Sequence, residues 1–330
     1  MSSEQSERTI IGELYEKRSI QDWIRDAGPV AMLVILLALF TALSPVFLTF
    51  NNLVNSILMN STILLLVALA GTFPILQQSI DLSVAANLGL SGVLTAMAIN
   101  QFGFVGIFVG PFVGLAAGLV NGVVFAKGKI PSFLVTLGTQ SVLMGGALLL
   151  TNGSSQPYRN LAVQQLAIGN VVPRIPNLVV LGLVFYVITV FVAFFTPFGR
   201  YCYALGESEK VTELSGVPVD RYKIGVFVVS GLLCGIAGAL LTARISSAAA
   251  GMGQGLLLQS IAGVVMGGTA LTGGVGGPHR TLIGVLVIGV LANGMNLIGI
   301  GSFVQQIILG IVVVLAVAMS MDREKIDIVK

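Results

Sequence analysis

Long apolar stretches separated by short polar breaks set the rhythm of this chain. A hydrocarbon core of about 30 Å takes roughly 20 helical residues to cross, and in that unit the pattern predicts about ten transmembrane helices. Five fall near residues 29–48, 52–76, 80–99, 102–126 and 131–151, and five near 177–197, 222–243, 253–270, 281–298 and 303–321. The basic turn Lys127-Gly128-Lys129 separates the fourth from the fifth, and a polar stretch, residues 152–176, separates the two groups. Glycine is dense enough in 253–270 to make that helix the weakest of the ten. Two groups of five would make any internal duplication an inverted five-helix repeat, a recurrent transporter plan, although no repeat is legible in the residues themselves.

Charge sets the orientation. Between Ala27 and Phe198 only Asp81, Lys127, Lys129, Arg159 and Arg174 are charged. With ten spans and a cytoplasmic N-terminus, Arg159, Arg174 and Arg244 fall outside, and the remaining fourteen of the 17 Lys and Arg fall inside. Lys and Arg concentrate on the cytoplasmic side of membrane proteins, and one span more or fewer in the middle would erase the asymmetry. Both termini are therefore expected in the cytoplasm. The first 26 residues carry ten charges and no long apolar run, so they read as a cytosolic segment and not as a cleaved signal peptide. Within them Ile10, Ile11, Leu14, Ile20, Trp23 and Ile24 would line one side of an interfacial helix, or else Trp23 alone would anchor a partly disordered tail at the membrane surface. The expected organisation is a cytoplasmic N-terminal segment (1–27), a transmembrane domain (28–321) with a cytoplasmic coupling segment (199–223), and a cytoplasmic tail (322–330).

Composition agrees and excludes other classes. Hydrophobic residues make up 55% of the 330 residues and charged ones 9%, against about 25% charged in a soluble domain. The expected fold is an all-α polytopic membrane protein. Two cysteines and one histidine are too few for a disulfide framework or a His/Cys metal cluster. A net charge of +3 on so apolar a chain gives nucleic acid no footing.

Two features concern packing and polarity inside the membrane. Gly106, Gly110, Gly114, Gly118 and Gly122 recur every four residues, with Gly231 and Gly235 repeating the spacing later; such stripes let a neighbouring helix approach closely. Asp81 is the only acid between Asp26 and Glu207. It precedes an apolar run and is expected to cap the next helix, while intramembrane charge often marks a solute path. Neutral polar residues accompany it, and with it Ser83, Asn60, Asn87, Gln140, Asn293 and Asn296 form the expected substrate pathway. Amides and hydroxyls bind a polyhydroxylated solute without demanding a counter-charge, and each also serves as interhelical glue.

The stretch 199–223 carries a different signal. Glu207-Ser208-Glu209-Lys210-Val211-Thr212-Glu213-Leu214 predicts a short helix, with Gly216 as a left-handed stop and Pro218 beyond it. A capped helix bracketed by two spans reads as a docking element for a soluble partner. No P-loop of the form G-x-x-x-x-G-K-[ST] is present, and with His279 as the lone histidine no catalytic triad can form. If ATP drives this protein, another polypeptide hydrolyses it; the chain itself is expected to be neither an enzyme nor a cofactor carrier.

Three segments in order resemble the membrane permeases of ribose-type sugar ABC importers. Ile80-Asp81-Leu82-Ser83-Val84 is similar to that family's "GGIDLSVG". Tyr203-Ala204-Leu205-Gly206-Glu207 with Leu214-Ser215-Gly216-Val217 is similar to its "YAIGGN…A..SGI" docking loop. Ile261-Ala262, Gly267-Gly268-Thr269-Ala270-Leu271, Gly273-Gly274 and Gly294-Met295-Asn296-Leu297 complete the order. Gln77, Gln78, Ala85 and the turn Gly276-Gly277-Pro278-His279-Arg280 depart from the family pattern.

The resemblance implies a ten-helix permease in the bacterial inner membrane that works as a dimer, here expected as two copies of this chain surrounded by lipid. It implies a cytoplasmic ABC ATPase and a periplasmic sugar-binding protein, with Glu207, Glu209, Lys210, Glu213, Leu214 and Gly216 coupling to the ATPase. The implied cargo is a monosaccharide, pentoses and hexoses first, with polyols, nucleosides and furanose-like sugars also in the family's range. The competing reading is a secondary carrier for a small neutral solute, working without partners.

Overall fold

The computed structural model describes residues 20–320; the expected interfacial helix and the tail 322–330 lie largely or wholly outside them. The fold is all-α and polytopic. α1 (Ile20–Leu43) leads to α2 (Asn52–Leu76), whose opening turns, Asn52–Leu58, are wound as π-helix. From Ile63 to Ala70 α2 is apolar on every side, and apart from Gly71 every residue from 61 to 76 is buried, as befits the central helix of a bundle. Around it stand α7 (Asn177–Phe195), α10 (Val219–Ile245), α11 (Leu256–Met266) and α12 (Pro278–Leu297). Leu66, Leu69, Leu178, Leu233, Val285 and Ile288 interlock there as the main core.

α3 (Val84–Phe102) and α4 (Val109–Gly128) are joined by a 3₁₀ turn, Gly103–Phe108. Gly103 has φ +64, and a β-carbon at Gly106 would collide with the Ala98 carbonyl carbon. Glycine at these two positions lets the 45-residue apolar stretch Val84–Gly128 fold back on itself. α5 (Ser132–Thr151) comes next, and then the polar stretch folds into β1 (Gln156–Pro157) and α6 (Leu161–Ile168). β1 pairs antiparallel with β2 (Ser247–Ala248), Gln156 opposite Ala248, and Tyr158 Oη donates to Ala243 O at 3.1 Å. These bonds fasten the stretch to the end of α10. Two short helices, α8 (Pro197–Glu207) and α9 (Glu209–Leu214), fill the segment before α10, and α13 (Ser302–Ser320) closes the described chain.

Among the described residues six helical stretches are long and apolar enough to cross a membrane: Asn52–Leu76, Val84–Gly128, Ser132–Thr151, Asn177–Phe195, Val219–Ile245 and Pro278–Leu297. Ala27–Leu43, Leu256–Met266 and Ser302–Leu315 are shorter apolar helices. On α5 and α7 the outer faces carry Leu137, Val142, Leu149, Phe191 and Phe195, each more than half exposed. A sealed helical backbone clothed in such side chains suits hydrocarbon.

The glycine stripes pair with each other. β-carbons at Gly114 and Gly118 would collide with the Gly231 and Phe227 carbonyl oxygens, and one at Gly235 with the Gly110 carbonyl oxygen. α4 and α10 therefore touch backbone to backbone, the contact that small residues permit in lipid. Gly106 does not belong to this contact, because it lies in the 3₁₀ turn.

Other expectations are corrected. The span expected over 253–270 is helical only from Leu256 to Met266, because Gly268, Gly273, Gly274, Gly276 and Gly277 all take positive φ and unwind the backbone between α11 and α12. Glu207 ends α8 instead of opening the docking helix; Ser208, in extended conformation, separates the two and caps α9.

Candidate functional site

Residues 77–83 connect α2 to α3, and Asp81 is the hub of that turn. The side chain is buried. Its Oδ1 accepts from the Ser83 amide at 2.9 Å and from Ser83 Oγ at 2.6 Å, and its Oδ2 accepts from Ser230 Oγ of α10 at 2.7 Å. The expectation that Asp81 caps α3 is corrected: Ser83 holds the N-cap position and no side chain makes a capping bond there. Asp81 instead closes the turn ahead of it through the Ser83 amide, as an Asx turn does. Ser83 Oγ in turn accepts from Asn121 Nδ2 of α4 at 2.8 Å. From α5, Ser132 Oγ accepts from the Ile80 amide at 3.2 Å and Thr136 Oγ1 from the Leu82 amide at 3.1 Å. A break between helices frees backbone groups that must find partners when buried, and here hydroxyls from neighbouring helices satisfy them. Asp81 and Ser83 therefore sit in a polar knot within the bundle.

The same turn is bonded to α8. Gln78, at φ +58, donates Nε2 to Gly206 O at 2.7 Å, and Gln77 donates Nε2 to Cys202 Sγ at 3.4 Å. The Gly274 amide donates to Leu76 O at 3.0 Å, and Tyr203 Oη donates to Gly276 O at 2.8 Å. A β-carbon at Gly206 would collide with Leu76 O, so glycine is what brings α8 onto the end of α2. Burial pushes the Cys202 thiol and the Tyr203 phenol each up to about 12, which keeps both protonated. The two glutamines that depart from the resembled family's pattern are thus the ones that grip α8.

α9 lies immediately beyond. Ser208 Oγ accepts from the Val211 amide at 3.4 Å, and Gly216, at φ +82, ends the helix. The Gly216 amide donates to Glu213 O and the Val217 amide to Thr212 O, the paired bonds of a Schellman stop. Thr212 is the buried anchor of α9, whereas Glu209, Lys210, Glu213 and Leu214 are exposed, Leu214 by 79%. Lys223 Nζ reaches Glu209 Oε1 at 2.7 Å and lies 5.2 Å from the Phe125 ring centre. These contacts hold α9 against the base of α10 with its apolar tip uncovered in this chain.

Three of the expected pathway residues meet at the opposite end of the bundle. Asn60, Asn293 and Asn296 line a cavity of about 310 Å³ together with Ser61, Arg244 and Gln259. Asn293 and Asn52 exchange amide bonds at 2.9 and 3.0 Å. Arg244 donates Nη2 to Asn60 Oδ1 at 2.7 Å and Nη1 to Met59 O at 3.3 Å. Asn87 belongs to neither place: its Nδ2 donates to Gly114 O at 3.3 Å, joining α3 to α4. Gln140 is half-buried on α5, beside the exposed Gly138 and Ser141. The seven residues read as one pathway thus divide between the knot, a helix contact, the α5 surface and the cavity.

Sequence reasoning did not find Ser230 or Asn121, each a single polar residue inside an apolar run, nor Ser61 and Gln259, which sit in the short polar groups Asn60-Ser61-Thr62 and Gln259-Ser260. Arg244 counted only as an outside charge, although its distance from every other cation in the bilayer-spanning part was a usable signal.

The family described as branched-chain amino acid transport system permease component matches residues 52–317. The ribose import permease protein RbsC of Escherichia coli K12 is 36% identical over 325 residues, covering 96% of this chain and 99% of that relative. RbsC of Bacillus subtilis 168 is 42% identical over 302 residues, covering 90% and 92%. The D-allose transport system permease protein AlsC of E. coli K12 is 32% identical over 297 residues, covering 88% and 90%. No solved structure matches.

Proposed function

The chain belongs to the branched-chain amino acid transport system permease component family, and from that premise we propose that it is the membrane permease of an ATP-driven ABC importer for a monosaccharide. The observation that carries this reading is near-full-length similarity to permeases named for ribose and allose. As a permease it is a transport component of the bacterial inner membrane and not an enzyme. A separate cytoplasmic ATPase supplies the energy and a periplasmic binding protein delivers the sugar.

The finer reading has ten crossings, both termini in the cytoplasm and two copies of this chain in a lipid-embedded dimer. The charge asymmetry supports it, and so do the fold-back at Gly103 and the three shorter apolar helices. In this orientation α8 and α9 face the cytoplasm and the 310 Å³ cavity faces the periplasm. Glu209, Lys210, Glu213 and Leu214 on α9, flanked by Glu207 and Gly216, form the ATPase contact. Asp81 and Ser83 hold the helix break through which motion of α8 is passed inward.

Reconstitution tests it: the chain in liposomes with the ATPase and binding protein encoded beside it, measuring uptake of labelled D-ribose and D-allose. ATP-dependent uptake that needs both partners is expected. Uptake by the chain alone, indifferent to ATP, would replace the importer with a carrier.

A further inference from the structure

We propose that the cavity between α2, α10, α11, α12 and α13 is a sugar-binding site inside a single permease, with Arg244, Gln259 and Ser61 as its reading groups. The inference deepens the importer reading and rests on it for the identity of the solute. Four observations carry it.

The first is place. The π-wound start of α2, the end of α10 and the end of α12 meet here, at the end of the bundle remote from α9. A solute arriving opposite the docking helix meets this cavity first. The second is chemistry. The polar lining is made of serine hydroxyls, asparagine and glutamine amides and one guanidinium, with no carboxylate, over a floor that includes Leu64, Leu241 and Ile288. A volume of about 310 Å³ lies at the lower end of small-molecule sites, about 300–1,000 Å³. Hydroxyl-rich rings with apolar faces match such a lining.

The third is an unspent group. Ser61 is 5% exposed, and its Oγ, in the cavity wall, has no hydrogen-bond partner. A buried hydroxyl left unpaired is unfavourable by about 1–3 kcal/mol, and a ligand hydroxyl would pair it. A β-carbon at Gly289 would collide with Ser61 Oγ, so glycine keeps that hydroxyl's space open. The fourth is preorganisation. Asn60 donates Nδ2 to Ser56 O at 2.7 Å, on the π-wound turn, which turns its Oδ1 to Arg244. Two of the guanidinium's five N–H groups are thereby used, and the rest form a fixed fork suited to adjacent hydroxyls. The Gln259 side chain makes no hydrogen bond among the described residues and lines the same wall, leaving its amide for the solute.

The test is saturable binding of labelled D-ribose and D-allose to the full-length chain alone in nanodiscs, beside ATP-driven uptake by the assembled importer. Wild type should bind one of the two sugars, and Arg244→Gln and Gln259→Leu should each weaken binding by about tenfold, the worth of one well-made hydrogen bond. Because Gln259 supports no other residue, Q259L leaves folding intact if Arg244→Gln does not. Arg244→Lys keeps the charge and loses the fork, so it should resemble Arg244→Gln. Normal uptake by all three variants, with no binding to the chain alone, overturns the site and leaves the importer standing. Binding of a sugar acid in place of either neutral sugar overturns the ligand class. Binding that depends on Arg244, without any ATP-driven uptake, keeps the site and removes the importer.

Discussion

Ser230 donates its hydroxyl hydrogen to Asp81 Oδ2 at 2.7 Å, joining α10 to the α2–α3 break across 149 residues of sequence. With the two bonds from Ser83, this fills the acceptor positions that a buried carboxylate most needs. Asp81→Asn can keep all three contacts, since its amide oxygen still accepts from Ser83 and its NH₂ donates to a rotated Ser230 hydroxyl. Asp81→Ala loses all three. The expected result is a near-normal melting temperature for D81N and a clear fall for D81A, with Ser230→Ala between them at about 1–3 kcal/mol destabilised. Thermal unfolding in detergent checks this. If D81N folds normally yet abolishes uptake, the charge itself serves transport; if it transports normally, Asp81 serves only to hold the turn to α10.

The paired glycine stripes make a sharper stability contrast. Gly114→Ala drives a methyl group into the Gly231 carbonyl oxygen, whereas a β-carbon at Gly138 on α5 meets nothing within 4 Å. Alanine favours helix over glycine by about 0.5–1 kcal/mol. Gly138→Ala should therefore be neutral or stabilising, while Gly114→Ala, which must push α4 and α10 apart, should destabilise by about 1–3 kcal/mol. Equal melting temperatures for the two variants would show that the close approach contributes nothing.

The same contrast marks what could be read in advance. The bounds of α2 match the apolar run, and the glycine spacing announced a close helix contact, because both are one-dimensional patterns that packing merely enforces. The stop at Gly216 was legible for the same reason. The partner of the stripe, the shortened α11 and the unwound glycines after it were not, because they depend on which backbone lies opposite. Nor could hydropathy separate the knot at Asp81 from the cavity at Asn60. Both are polar spots in apolar surroundings, and only the winding of α2 sends them to opposite ends.

Cys202 is fully buried, its Sγ accepts from Gln77, and burial holds its thiol at about 12. Thiolate is the reactive form, so maleimide at pH 8 should leave Cys202 unlabelled in the folded protein and modify it once denatured. The raised value also makes folding pH-dependent: the unfolded thiol ionises near its ordinary 9.0 and the folded one near 12. Its contribution is complete below pH 9 and declines as pH rises through that window. Cys202→Ala should flatten the alkaline loss of stability between pH 9 and 12; an unchanged profile would assign that loss elsewhere.

The contact of Gln78 with Gly206 predicts a separation of docking from transport. α9 presents Leu214 and Glu213 outward, anchored by Thr212 beneath, and α8 connects it to the helix break through Gln78 Nε2 and Gly206 O at 2.7 Å. Leu214→Asp places a charge where an apolar partner surface would close, and Glu213→Lys reverses a charge there. Both residues are exposed, so neither change should alter the melting temperature, and both should lower ATPase co-purification. Gln78→Ala leaves the docking surface intact and removes the bond behind it. It should co-purify normally with the ATPase and hydrolyse ATP, yet take up several-fold less sugar per ATP hydrolysed. Loss of co-purification in Q78A would make Gln78 a support for α9 itself, and an unchanged ratio of uptake to hydrolysis would place the transmission path elsewhere, through the Gly274 and Leu76 bond.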